Sequence, residues 1–404
     1  MSEWKKVKLG EISQTIQTGP FGSQLHQSDY SVIGIPVVMP KDIIAGNIEE
    51  ASIARVEQHH IDRLSRHMIS YGDILYARRG DVGKCAFTKQ NQEGWLCGTG
   101  CLRVTINPDM ANPKFVFFQL QKQETIGWIT NHAIGSTMLN LNTTILSNAP
   151  VEIPSLRIQN RIVEILSRYD SLIENYQKQI KLFEEAAQRL YKEWFIDLHF
   201  PGHENTNIID GVPEGWEKKK VNSIIELQSG FAFKSSTFDD NGAYKIVTIK
   251  NVKDGAFDGD NVSKIVAIPD KMPKHCILAD GDILLSLTGN VGRVCIVNGK
   301  SYLLNQRVAK LATDYKAFTY CLFRSRDMFI EVNNLANGAA QQNVSPIRIG
   351  EMKILLPNSE LLQEFESIVF KSIARIISLQ SQLRLLTEAR DRLLPKLMSG
   401  EITV

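Results

Sequence analysis

Apolar residues recur at steps of three and four from Ile158 through Ile162, Ile165, Tyr169, Leu172, Tyr176, Ile180, Phe183, Ala187 and Leu190 to Trp194. That spacing marks one face of a helix. No glycine or proline interrupts 158–200, and Pro201-Gly202 then supplies a stop. Ser155, after Pro154, is a candidate N-cap. Two successive four-steps around Tyr176 shift the heptad phase, a stutter that locally unwinds a coiled coil.

A second stripe runs through Leu361, Phe365, Ile368, Ile376, Leu379, Leu383, Leu386 and Leu393, with Asn358 and Ser359 as candidate caps and Pro395 as the expected stop. About 40 helical residues span roughly 60 Å, far beyond the globular mean of about 11 to 12 residues. Each helix has a single apolar face and needs a long partner, and the other copy packed antiparallel meets that need. The expected interface is Ile162, Tyr169, Tyr176, Ile180, Phe183 and Leu190 with Leu379, Leu383, Leu386 and Leu393. Two separate helices on their own domains are the alternative.

The stripes belong to a larger repeat. At an offset of 203, Ile158 falls on Leu361 and Trp194 on Leu397. At an offset of 209, Gly72-Asp73-Ile74-Leu75 falls on Gly281-Asp282-Ile283-Leu284, and seven of the twelve positions from Gly72 to Gly83 are identical in 281–292. Between these landmarks lie short strand patterns and few helices. Ile35–Met39 and Tyr244–Ile249 read as equivalent strands, and Phe115–Gln121 and Phe318–Phe323 as short helices. The division is 1–157, a first mainly β domain; 158–200, a central helix; 201–360, a linker (His203 to Pro213) and second domain; and 361–404, a distal helix and tail. The fold class is α+β: two domains related by a pseudo-twofold axis and separated by an antiparallel coiled coil.

At 404 residues, 43% hydrophobic and 22% charged, the chain fits two globular domains with connectors. No apolar run is long enough to cross a bilayer, and the start, Met1-Ser2-Glu3-Trp4-Lys5-Lys6, shows no secretion signal. The expected location is cytoplasmic, with no membrane partner. Six scattered cysteines read as buried thiols rather than a zinc site. Net charge is only +2, with 15 basic and 14 acidic residues in 1–157 and 19 and 18 in 200–360. If the chain binds nucleic acid, its positive charge must gather on one face.

Candidate chemistry concentrates in the repeated loop. Its glycines permit tight turns, and its free amides, beside Lys84 or Arg293, suit a phosphate. The competing reading is a plain hairpin, with Asp73 and Asp282 as turn residues. The loop is not a P-loop: Arg78 stands where the first glycine belongs and Cys85 where Ser or Thr is required. The tips differ between copies. Arg78-Arg79 corresponds to Leu287-Thr288; Gly98 to Arg103 has its counterpart near Leu304-Asn305-Gln306-Arg307; Ser136 to Asn140 corresponds to Ala339 to Asn343. Unlike Arg, Gln and Asn residues on one scaffold are what two readers of different base sequences need. Any one of them also reads as a solvated loop residue. The candidate DNA-binding set is Lys41, Arg78, Arg79, Lys84, Arg103 and Asn140 in the first copy, with Lys250, Asn251, Asn290, Arg293, Gln306, Arg307, Gln341 and Gln342 in the second. The basic openings Trp4 to Lys8 and Trp216 to Lys220 read as amphipathic first turns with snorkelling lysines.

No catalytic set stands out. There is no Asn-Pro-Pro-aromatic tetrad for base methylation, no Gly-rich cofactor fingerprint and no metal-spaced histidine pair, since His59 and His60 are adjacent. The chain reads as non-catalytic, with no metal site.

The whole layout resembles the specificity subunit of type I restriction-modification systems. The carriers are Val212-Pro213-Glu214-Gly215-Trp216 at a domain opening, the Gly-Asp-Ile-Leu strand, the Gly-x-Val-Gly turn, Gln306-Arg307-Val308-Ala309, the junction Trp194 to Pro201 and the C-terminal run Leu393 to Ile402. The first copy departs, with Gly100-Cys101-Leu102-Arg103 where the second has Gln306 to Ala309. The resemblance implies two target-recognition domains, each reading one half of a split sequence in double-stranded DNA. It implies helices that set the gap and dock two DNA-methyltransferase (modification) subunits bearing S-adenosylmethionine. Restriction (translocase) subunits using ATP and Mg are further implied partners, and no cofactor sits on this chain. A scaffold bridging two copies of a protein partner without reading DNA is the alternative, and a nucleotide-handling enzyme built on the Gly-x-Val-Gly-Lys loop is a third reading.

Overall fold

The computed structural model describes residues 4–135, 139–260, 262–336 and 342–404. Gln341, and with it Ser136, Thr137, Met138, Ala339 and Ala340 of the expected loop tips, lies outside the described residues. The chain divides into two units, residues 1–171 with 388–404, and residues 172–387. The division falls inside both long helices, Leu156–Phe195 and Ser359–Met398.

In the first unit an antiparallel sheet has the order Ser13–Thr18, Cys101–Ile106, Ile74–Ala77, Cys85–Phe87. Ile74–Ala77 is buried along its whole length, as a strand covered on both faces must be. A second sheet runs Leu96–Cys97, Ile35–Val38, Ala54–Val56, Tyr30–Ser31, and its first pair is parallel. The second unit repeats this plan. Its antiparallel sheet has the order Glu226–Ser229, Val308–Ala312, Ile283–Ser286, Val294–Ile296. Its other sheet centres on the parallel pair Tyr244–Val247 and Tyr302–Leu304. The repeat read from spacing is thus a repeat of strand order in the antiparallel sheet and of three strands in the other, whose fourth strand is Tyr30–Ser31 beside Ala54–Val56 in the first unit and Ile277–Leu278 beside Tyr302–Leu304 in the second.

The expected short helices are Pro113–Leu120 and Lys316–Arg324, and they start differently. Asn112 caps the first with its side chain, which accepts from the Lys114 and Phe115 amides. The second has no such cap. Instead the Glu366 carboxylate, from the distal long helix, accepts from the Ala317 amide at 2.8 Å and from the Phe318 amide at 3.2 Å. An anion there satisfies orphan donors at the positive end of the helix dipole.

Within each unit the long helices run antiparallel. In the first unit Ile162 and Leu166 share a core with Leu397 and Met398, and Asp170 pairs with Arg390 at 3.5 Å. In the second, Tyr191, Trp194 and Phe195 pack on Phe365, with Trp194 and Phe365 ring centroids 5.7 Å apart. The helices are also built into each domain's core.

Several boundaries differ from the sequence reading. The stripe was expected to pass through Leu172 and Ile368, yet each is 45% exposed. Their neighbours Ile173 and Val369 are buried instead, with Leu166 and Ile373. Adjacent apolar residues offered two stripes one position apart, and the domain cores select the second. Pro395 does not stop the distal helix but lies in its last turns; Gly400, at φ 77°, follows the end. The central helix ends at Phe195, before Pro201, where the chain turns and Leu198 takes φ 61°. The basic openings are strands rather than helical turns: Lys5–Lys8 pairs with Pro150–Ile153, and Glu217–Lys220 with Lys353–Leu356. The linker carries its own hairpin, Ile208–Ile209 against Val212–Pro213, across Asp210 and Gly211.

All six cysteines are buried and unpaired. Among the described residues no cluster of His, Cys, Asp and Glu could hold a metal ion, and no helix is long and apolar enough to cross a membrane.

Candidate nucleic-acid interface

The repeated loop is a hairpin turn in both units. In the first it joins Ile74–Ala77 to Cys85–Phe87, and in the second Ile283–Ser286 to Val294–Ile296. Gly80 and Gly289 both take φ 76°, a left-handed conformation that a side chain would strain. Asp73 and Asp282 do serve as turn residues. Asp73 accepts from the Ser70 amide at 2.8 Å and Asp282 from the Ala279 amide at 2.9 Å.

Three further segments close on each turn. In the first unit the Arg78 amide donates to the Gly100 carbonyl and the Leu141 amide to the Arg78 carbonyl, both at 2.8 Å. In the second unit the Leu287 amide donates to the Arg307 carbonyl at 3.0 Å and the Val344 amide to the Leu287 carbonyl at 2.9 Å. Arg79 bridges Asn140, and Thr288 bridges Asn343, by the same antiparallel pairing. The fourth segment enters at Gly19 or Gly230, where an added Cβ would fall about 2 Å from the carbonyl of Gly98 or Asn305. The turn, the 98–101 or 305–307 segment, the 140–141 or 342–344 segment and the 19–21 or 230–231 segment therefore form one composite tip in each unit.

Most of the candidate residues lie on these tips. In the first, Arg79 and Lys84 are exposed, and Lys84 pairs with Asp81 at 3.2 Å. Lys41 is exposed and donates to the Ser52 carbonyl at 3.2 Å; the neighbouring Pro40 ring lies under Gly100. Arg78 and Asn140 are half-buried. In the second, Asn290, Gln306, Arg307 and Gln342 are exposed, and the Gln342 carbonyl accepts from the Gly289 amide at 2.9 Å. Arg293 is half-buried. Lys250 is exposed, and its neighbour Ile249 packs beside Gly289.

Two candidates belong to the interior. Arg103 lies on the central strand Cys101–Ile106, its side chain only 14% exposed, 3.8 Å from the Asp73 carboxylate and donating to the Met68 carbonyl. Asn251 is fully buried, accepting from the Thr248 amide and hydroxyl and donating to the Asp258 carbonyl at 2.9 Å. A buried polar side chain needs such partners: Asn251 spends its hydrogen bonds on the fold, and Arg103 is held there by its Met68 bond and the Asp73 charge, though its Nε–H has no acceptor among the described residues. Among the spacer candidates, Ile162 and Leu379 are buried. Tyr169, Tyr176, Ile180, Phe183, Leu190, Leu383, Leu386 and Leu393 are half-buried.

Phe21 escaped the sequence reading. It is 54% exposed on the fourth segment, with the Arg78 guanidinium 5.7 Å from its ring centre. The signal was there: Thr18-Gly19 and Ser229-Gly230 are each followed within two residues by an aromatic.

The composite tips have what a base reader requires. Among the described residues they offer polar side chains of unlike chemistry on a backbone fixed by main-chain hydrogen bonds.

The family model described as the type I restriction modification DNA specificity domain matches residues 1–184 and again 213–386. The MjaIX specificity subunit of Methanocaldococcus jannaschii is 28% identical across the whole chain and 94% of its own length. The HindI specificity subunit of Haemophilus influenzae is 22% identical over the full length of both chains. The crystal structure of the type I restriction-modification S subunit from M. genitalium shares the fold, with a TM-score of 0.64 at 18% identity, over 98% of this chain and 96% of that one. Two matches of one specificity-domain model, covering most of the sequence, place this chain in the type I restriction-modification DNA specificity family.

Proposed function

We propose that each unit reads one half of a bipartite target in double-stranded DNA and that the paired long helices set the gap between the halves. The observation that carries this reading is the composite tip, built twice from the same four segments around a shared asparagine, Asn140 or Asn343, with unlike side chains beside it: Arg78 and Arg79 in one, Leu287 and Thr288 in the other. A shared frame gives the same approach to a groove, and unlike side chains give different bases. The helices, 40 residues each, dock two DNA-methyltransferase subunits. Those subunits bring S-adenosylmethionine and extrude the adenine, because base chemistry needs the base out of the stack. Restriction subunits with ATP and Mg join the same complex in the cytoplasm. This chain supplies recognition and no bond-making.

The test is an exchange of residues 1–157 for the matching segment of a relative with a different target, in the assembled complex, followed by genome-wide mapping of methylated adenines. One half-site is expected to change while the other half and the gap stay as they were. A change in both halves, or in neither, counts against the reading. Binding to duplex DNA is also expected to weaken steeply with salt, as phosphate contacts do. Salt-independent assembly without DNA would favour a scaffold that bridges two protein partners.

A further inference from the structure

The two tips share a backbone, but their polar groups are satisfied differently. In the second unit the Thr288 hydroxyl donates to the Asn343 side-chain carbonyl at 2.8 Å, and Leu287 beside it is buried. That tip is closed on itself. In the first unit Arg79 stands in the place of Thr288, and the Asn140 side-chain carbonyl is buried with no hydrogen-bond partner among the described residues. Arg78 stands in the place of Leu287, and its Nε–H is likewise buried without an acceptor. A donor and an acceptor are thus left open on two residues joined through one junction, since the Arg78 carbonyl receives the Leu141 amide next to Asn140. Buried polar groups in a folded protein are nearly always paired, so a pair left open calls for an absent partner.

We infer that Arg78, with its guanidinium 5.7 Å from the centre of the exposed Phe21 ring and backed by Asn140, is the base-reading side chain of the first unit, and that its partner is the major-groove edge of a G·C pair. The inference rests on the proposed DNA-reading function and deepens it.

Three physical features select that partner. A guanidinium held within cation–π reach of an aromatic ring has less freedom to lose on binding, and its planar fork suits a bidentate partner. A fork of that kind matches guanine O6 and N7, while an open amide carbonyl matches the cytosine amino group on the same edge. Side-chain rotation of Asn140 brings its carbonyl out, and the open bond gives that rotation little to break. In the second unit the equivalent positions are an apolar side chain and a closed Thr–Asn pair, so reading there passes to the exposed Gln306, Arg307 and Gln342.

The experiment expresses the full chain with its methyltransferase partner and maps methylated adenines for wild type, Arg78→Leu and Arg78→Lys. Arg78→Leu installs the residue that the second unit already carries on the same backbone, so folding is retained. Arg78→Lys keeps the charge and removes the fork. Both Arg78 variants are expected to lose discrimination at one G·C position of one half-site by about 5- to 150-fold, the range for a bidentate base contact. The other half-site and the gap stay unchanged. An unchanged motif in both Arg78 variants overturns the assignment and leaves two-domain reading standing, as does a uniform fall at every position from Arg78→Leu with Arg78→Lys normal, which marks a phosphate contact. A wild-type complex without any bipartite motif overturns both.

Discussion

The phenolic hydroxyl of Tyr320 donates to the Glu184 carboxylate at 2.7 Å, so a domain helix and the central long helix share one half-buried hydrogen bond. Arg324 stands 3.7 Å from the same carboxylate and also pairs with Asp254, on the loop that carries Lys250 and Asn251. Burial raises the Glu184 pKa, and the Tyr320 bond and the Arg324 charge only partly oppose it. A folded pKa above the free value of 4.5 means that the folded state holds the proton more tightly. The stability from this site is complete below about pH 4.5 and is lost as pH rises through the folded value. Glu184→Gln removes that dependence while leaving Tyr320 an acceptor. Melting temperatures of both proteins, taken from about pH 4.5 to neutrality, should therefore shift in favour of the variant as pH rises. A shift in favour of wild type would show that the ion pair outweighs the desolvation.

The thiols give a second check on packing. Burial pushes Cys85 and Cys97 up to about 12, and it raises Cys101, Cys276, Cys295 and Cys321 as well. The thiolate is the reactive form, so an aromatic disulfide reagent should titrate none of the six in the native chain at neutral pH and all six in denaturant. Rapid labelling of one thiol in native protein would mean that its sheet opens locally.

Arg103 and Asn251 were DNA candidates on residue type alone, and their surroundings predict structural effects instead. Arg103→Ala leaves the Asp73 carboxylate buried without its cationic neighbour, at a cost of about 3 kcal/mol or more. Asn251→Ala strips the partners of Thr248 and Asp258, at about 1–3 kcal/mol. Denaturant unfolding should show these losses, with the methylation motif unchanged in whatever protein remains folded. A changed motif with unchanged stability would return either residue to the interface.

What the sequence disclosed and what it withheld divide along physical lines. Helix spacing and the twelve-residue repeat are local patterns, so both long helices, both short helices and the twofold repetition of domains were legible. The exposure of Leu172 and Ile368 was not, because apolar neighbours made two faces possible and only the domain cores choose between them. Pro395 misled because the helix end beyond it is held by tertiary burial: Leu397 and Met398 are packed in the first unit's core and offset the hydrogen bond that the proline removes. At the tips, Arg78 and Arg79 were legible as differences between copies, where the second has Leu287 and Thr288. Phe21 was missed because its role depends on a segment more than fifty residues away in sequence closing on the turn. Arg103 and Asn251 were misplaced for the converse reason, since burial is a tertiary fact.

The helix pair yields the last prediction. In the second unit Trp194 packs on Phe365. Counting back along the central helix to Tyr176, and forward by the same number along its antiparallel partner, reaches Leu383. Both Tyr176 and Leu383 are half-buried, and Leu172 nearby is exposed, so the pair is lightly packed where the heptad phase shifts. Matched insertions of four residues after Tyr176 and after Leu383 add about 6 Å of helix and keep the apolar faces within about 40° of register. If the helices set the gap, methylation mapping should return both half-sites unaltered with about two more base pairs between them, at roughly 3.4 Å per pair. An unchanged gap in a complex that still methylates would mean that spacing is set elsewhere, by the partner subunits or by the bend of the DNA.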